Sequence, residues 1–225
     1  MNLRRRLAFS AICILIVANA PALEARRLSS ARVLRGRLFV LDPGHGVRFP
    51  SGAPLNVGAV GPHGVQEQQV NLEVGDDVAA LLRGAGARVV MTRTDARPYR
   101  IATDRRADNR SRAALANALG ATAFIALHCD SSLDPSKAGT SVFWLRANSE
   151  ALARAIRAHL APLALGESEF HPRDLAVTRQ ARVPAVLVEL GFVSNSRQEA
   201  LLASRAFRKR EAQALFDAIM ETFGS

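Results

Sequence analysis

RLFVLDPGHG, residues 37–46, is the stretch on which the fold turns. Leu38 to Leu41 are apolar without interruption, and Asp-Pro-Gly-His-Gly follows at once. A strand with one wet face alternates apolar and polar residues, whereas one covered on both faces is apolar throughout. The stretch therefore predicts a strand over Leu38–Asp42 inside a helix-covered sheet, ending in a glycine turn that carries a histidine. Four further stretches share this character: Arg88–Thr92, Ala123–His128, Thr140–Leu145 and Ala185–Glu189, each rich in Val, Ile, Leu or Phe. Between them, apolar residues return every three or four positions, which predicts helices over Gln66–Arg83, Thr103–Leu119, Ser149–Leu163 and Ala206–Thr222. Such alternation predicts a single α/β domain with a twisted, mostly parallel central sheet flanked by helices on both faces.

Outward from this core, the N-terminus has a different composition. Arg4, Arg5 and Arg6 precede an apolar run from Leu7 to Ala18 and then small residues, the order of a secretory signal. The run is shorter than the roughly 20 residues that a spanning helix needs. Residues 1–25 are therefore read as a signal peptide, 26–36 as a short tether and 37–225 as one catalytic domain, with export to the periplasm or cell envelope expected and no stable membrane anchor after cleavage. Cys13 lacks the preceding small residue of a lipid-modified cysteine, so no lipoprotein is expected. Loss of the leader leaves Cys129 as the one cysteine, which excludes an intramolecular disulfide.

The formal charge is +10, falling to +8 without the leader, and favours acidic partners. Its carriers are arginines scattered through helical stretches, and the chain has one Trp and one Tyr, too few for a base-stacking platform. Nucleic acid is not expected; a carboxylate-bearing wall polymer fits better.

Ligands of open α/β sheets bind beyond the carboxyl ends of the strands. At that edge the first strand delivers His45, the strand from Ala123 ends on His128, and the strand from Ala185 ends on Glu189. Glu67 returns to the same edge, since it opens the helix after the long glycine-rich loop 44–64. Two imidazoles and a carboxylate suit a catalytic zinc ion with an open position for water, and a second carboxylate can move the proton. Spacing alone does not say which carboxylate takes which role.

LDPGHG at 41–46, GAVGPHGVQEQQVNLEV at 58–74, Thr92-Arg93, Arg112 with Asn117, FIALHCDSS at 124–132, Gly139 and VLVELGFVSN at 186–195 resemble, in order, the catalytic domain of zinc-dependent N-acetylmuramoyl-L-alanine amidases. The resemblance implies that His45, Glu67 and His128 hold one Zn2+ and that Glu189 is the catalytic glutamate. It also implies peptidoglycan as substrate, cut at the amide between N-acetylmuramic acid and L-alanine of the stem peptide. Some periplasmic relatives carry an inserted helix that blocks the metal until an activator protein displaces it. Only ten residues separate Cys129 from Thr140, so no such helix, and no need for an activator, is expected.

Three rivals remain in view: a catalytically weak wall-binding module, another zinc peptidase or deacetylase of the same polymer, and a thiol hydrolase using Cys129. The last is disfavoured because neighbours on a strand face opposite ways, which separates Cys129 from His128. His63, before Glu67, and His171, before Asp174, are open as substrate contacts, and His159 reads as a surface residue. Arg93 and Arg112 are candidate partners for acidic groups of the peptide, with a helix-to-sheet salt bridge the favoured role for Arg112.

Overall fold

The apolar run forms strand β1, Leu38–Pro43, with all six residues buried. The computed structural model describes residues 33–47, 55–94, 105–163 and 165–225. The signal peptide read at 1–25 and the tether up to residue 32 lie outside the described residues. The remainder of that tether does not hang free: Leu34 is fully buried, and its N–H donates to the Ala85 carbonyl at 3.1 Å. The folded body therefore reaches back to residue 33, because an apolar side chain in RVLRG has a core to enter.

The other strands are β2 (Arg88–Met91), β3 (Ala123–Asp130), β4 (Thr140–Trp144), β5 (Glu167–Pro172) and β6 (Ala185–Phe192). They form one sheet in the order β2-β1-β3-β6-β4-β5. All neighbouring pairs are parallel except β4 with β6. The helices are α1 (Glu67–Gly84), α2 (Arg105–Ala118), α3 (Glu150–Leu160), α4 (Ala176–Gln180), α5 (Ser196–Ala203) and α6 (Arg205–Phe223).

Both sheet faces are covered, which is why the strands lack alternation. On one face Phe39, Leu41, Ile125, Leu127, Val186 and Val188 pack with Val74, Val78, Leu152, Ile156 and Leu215 of α1, α3 and α6. On the other, Val40, Phe124, Ala126, Phe143 and Leu187 meet Ala113, Ala116 and Val177 of α2 and α4. Gly75 lets α1 lie close to the sheet, since a Cβ there stands 3.0 Å from Pro43 Cγ. The same helix ends at Gly84, and the chain turns away at Gly86, whose φ of 89 is left-handed. There the Ala87 N–H returns to Leu82 and the Gly86 N–H to Arg83, the paired bonds of a Schellman ending.

The sequence expectations differ from the structure in a few elements. β5 was not expected, because ESEFHP has two glutamates and no apolar run; it is an edge strand, where charge discourages further pairing. The short helices α4 and α5 were also not expected. The helix expected over Ser149–Leu163 is α3 followed by a 3-10 turn, Ala161–Leu163, around Pro162, which cannot donate to an α-helical bond. Strands β3 and β6 do not end on His128 and Glu189 but run on to Asp130 and Phe192, which pair after a register shift.

Candidate metal centre and active site

Four segments meet at the carboxyl edge of the sheet. His45 stands in the turn after β1 with φ 62, a left-handed conformation uncommon for a side-chain-bearing residue. Arg112 on α2 holds this turn: its guanidinium donates to Asp42 Oδ1 at 2.7 Å, to Asp108 Oδ2 at 2.9 Å and to the His45 carbonyl at 3.0 Å. Arg112 is thus the helix-to-sheet bridge expected of it. Arg93 is not a free partner for substrate: it is buried and donates to the carbonyls of Pro43, Gly44 and Gln68 at 3.0, 3.1 and 2.6 Å. It shares two of them with other donors, Pro43 with Arg112 at 3.2 Å and Gly44 with Asn71 at 3.4 Å.

Glu67, buried at the first turn of α1, is the centre of the cluster. Its Oε1 lies 3.0 Å from His45 Nε2 and 3.0 Å from His128 Nδ1. It also accepts from the Cys129 N–H at 3.2 Å, while Oε2 accepts from the Ala59 N–H at 2.9 Å. Burial pushes the Glu67 carboxyl up, but the bonds from His128 and His45 outweigh it and hold the group below the usual carboxylate range. An anionic oxygen thus faces two imidazole nitrogens, and one ligand atom from each residue lies within 4.8 Å of the others. Such a set can hold a metal ion.

The surroundings are cut to this cluster. His45 Nδ1 lies 3.2 Å from Asn56 Oδ1, a contact that can hold a proton on Nδ1 when Nε2 ligates a metal. A Cβ at Gly44 would stand 2.3 Å from the His128 ring, and one at Gly58 2.3 Å from Glu67 Oε2. Asn71, one turn along α1 from Glu67, lies 3.5 Å from Glu67 Oε1 through Nδ2 and 3.5 Å from Cys129 Sγ through Oδ1.

Glu189 is the register partner of His128 on the neighbouring strand. Its Oε2 is out of contact with solvent and has no hydrogen-bond partner among the described residues. Burial, with the negative charges of Glu67 and Asp130 beside it, pushes this carboxyl well above the ordinary range. A carboxyl so placed can carry a proton next to the cluster.

The lesser candidates separate from the cluster. Cys129 points into the α1 side of the core, and burial raises its thiol well above normal, so it lacks the thiolate of a nucleophile. His63 pairs through Nδ1 with Glu199 at 2.7 Å, His171 with Glu169 at 2.8 Å and His159 with Glu221 at 2.8 Å. Sequence reading missed Glu199. This buried residue of α5 accepts from the N–H groups of both His63 and Val65, at 2.9 and 3.1 Å, and so pins the turn that feeds Glu67 into α1. Its signal was faint: Glu199 lies four residues after Asn195, whose side chain caps α5.

The chain is also similar to proteins of known name. The "Probable cell wall amidase LytH" of Staphylococcus epidermidis is 31% identical over 198 residues, 87% of this chain. The chain spans only 62% of the length of that relative. N-acetylmuramoyl-L-alanine amidase AmiA of Salmonella typhimurium is 29% identical, over 83% of this chain and 76% of its own. Among solved structures, the catalytic domain of the amidase CwlV from Bacillus (Paenibacillus) polymyxa superposes with a TM-score of 0.73 at 30% identity, covering 83% of this chain and 97% of that one. The profile of one family matches residues 39–221, nearly the whole described body, and the chain belongs to that family, the N-acetylmuramoyl-L-alanine amidases (Amidase_3).

Proposed function

We propose that the protein is a zinc-dependent peptidoglycan hydrolase that cuts the amide between N-acetylmuramic acid and L-alanine of the stem peptide. The observation that carries this reading is the meeting of His45 Nε2, Glu67 Oε1 and His128 Nδ1 beside the unpartnered Oε2 of Glu189. The residues fit zinc: two nitrogen donors and one carboxylate oxygen are a usual catalytic set, and the glycines at 44 and 58 keep clear the space that a Cβ would fill. When bound, zinc supplies Lewis-acid polarisation of the amide carbonyl and a water acidic enough to react near neutral pH.

The chain's own groups do the rest. Asn56 and the Cys129 N–H orient His45 and Glu67, so the donors are fixed before substrate arrives. Glu189 takes a proton from the attacking water and returns it to the departing alanine amine, because an amine leaves poorly as an anion.

The export reading belongs to the same proposal. A signal over residues 1–25 would place the mature protein in the periplasm or envelope, and N-terminal sequencing of exported material should begin near Arg26; an intact Met1 in a soluble cytoplasmic form overturns it. Among the described residues no helix is long and apolar enough to cross a membrane. Activity without an activator protein belongs to the same proposal, since only ten residues separate Cys129 from Thr140.

Mass analysis of purified peptidoglycan after digestion tests the reading. Free stem peptides beginning with L-alanine, together with peptide-free glycan, are expected. Cuts within the peptide, or loss of acetyl groups, would show a different zinc hydrolase.

A further inference from the structure

A polar row crosses the sheet away from the metal-ligand cluster. His128 pairs in register with Glu189, Glu189 with Ser141, and Ser141 with Glu169. Residues directly opposite on neighbouring strands share a face, and strands lie about 4.8 Å apart, so Glu169 stands about 10 Å from Glu189 along the row. On the same face, two residues along β4 from Ser141, lies Phe143, in register with His171. Their rings meet edge-to-face with centroids 5.4 Å apart.

Arg173, just beyond β5, lays its guanidinium over Phe143 at 4.9 Å. The contact keeps the cation beside the ring and leaves its N–H donors available. The half-exposed side chain approaches Glu169 at 3.7 Å, too far for a hydrogen bond, whereas His171 Nε2 engages that carboxylate at 2.8 Å. Among the described residues the guanidinium of Arg173 donates no hydrogen bond.

The direction of the substrate follows from the proton. If Glu189 protonates the departing amine, the stem peptide begins at Glu189. His45, Glu67 and His128 come from β1, α1 and β3, so a peptide leading away from them runs over β4 and β5. From the alanine nitrogen to the α-carboxylate of the second residue is about 7 Å, two residues at roughly 3.5 Å each. In peptidoglycan that second residue is D-glutamate linked onward through its side chain, so its α-carboxylate is free unless amidated.

We propose that Arg173, held over Phe143, is the docking residue for the α-carboxylate of the stem peptide's second residue, and so distinguishes D-glutamate from D-isoglutamine. This rests on the amidase reading above. A planar guanidinium with an open edge matches a carboxylate through two parallel hydrogen bonds, a match that a neutral carboxamide cannot make.

Calorimetry with two tripeptides, L-Ala-γ-D-Glu-L-Lys and its α-amidated counterpart, tests the assignment without requiring turnover. The free acid should bind the intact protein about tenfold or more tightly than the amide, the size of one charge-assisted contact. Arg173→Ala should erase that gap by weakening the free acid alone, and Arg173→Lys should keep part of it. Equal binding of the two peptides by the unaltered protein overturns the proposal, as does an equal loss for both in Arg173→Ala, or no binding of the free acid. Digestion of whole peptidoglycan reports separately on the amidase reading: release of L-alanine-terminated peptides beside a failed binding test faults Arg173 alone.

Discussion

His128 and Glu189 are register partners on adjacent parallel strands, β3 and β6, and therefore stand side by side on one face of the sheet. Neither strand stops at them. Backbone pairing continues to Asp130 and Phe192, so both side chains are held by ladder hydrogen bonds on either side and not by a loose strand end. The proposed metal ligand and the proposed proton carrier are thus spaced by the sheet itself.

The glycines around the cluster give the first prediction. At Gly44 a methyl would meet the His128 ring at 2.3 Å, and at Gly58 it would meet Glu67 Oε2 at 2.3 Å with φ +73 besides. Gly44→Ala and Gly58→Ala should each lower zinc affinity by about ten- to a hundredfold, the usual effect of displacing a ligand's support. Metal titration with circular dichroism as a check on folding measures this. Full affinity in both variants would show that the ligand side chains have more room than the structure gives them.

Glu199 gives the second. Removal of its carboxylate in Glu199→Ala leaves the N–H groups of His63 and Val65 without their acceptor. The cost should be about 2 kcal/mol, the scale of hydrogen bonds to a charged group. Burial raises this carboxyl, but the bonds from His63 and Val65 prevail and its pKa is lowered. Such a group stabilises the fold above the ordinary glutamate pKa of about 4.3 and loses that contribution as pH falls through its own lower value. Denaturant titrations at pH 7 and in acid should show the gap between variant and parent narrowing in acid.

Glu211 gives the third, with the opposite sign. It is fully buried on α6, and both carboxylate oxygens lack partners among the described residues. Burial pushes its pKa well up, against the smaller pull of Arg208. The unfolded chain therefore releases this proton first, and stability falls as pH rises above about 4.3. Glu211→Gln should raise stability at pH 7.5 by about 1–3 kcal/mol, with the gain shrinking toward pH 4. A variant less stable at pH 7.5 than its parent would mean that the carboxyl has a partner there.

How far the chain could be read follows from where each signal lies. Apolar runs such as FVL at 39–41 and AVLV at 185–188 disclose buried strands, and the residues directly after them disclosed His45 and Glu189. β5 was hidden because an edge strand needs no apolar run, and ESEFHP has none. Glu199 was hidden for another reason: its partner His63 lies 136 positions away, and no local pattern records such a pairing. Arg93 was misassigned because an arginine beside a site looks like a ligand contact until the backbone carbonyls it satisfies are in view.

The most direct test of the central claim sets the two glutamates against each other. Glu67 touches both histidines and is proposed as a zinc ligand, whereas Glu189 is proposed to move the proton. Bound zinc and the rate of wall hydrolysis should be measured for Glu67→Gln and Glu189→Gln. Glu67→Gln should lose metal and activity together, since a neutral amide oxygen replaces an anionic donor. Glu189→Gln should keep its zinc and fall in rate by about a hundred- to ten-thousandfold, the range for losing a general acid–base. Zinc lost from the Glu189 variant, or full activity in it, would contradict the account.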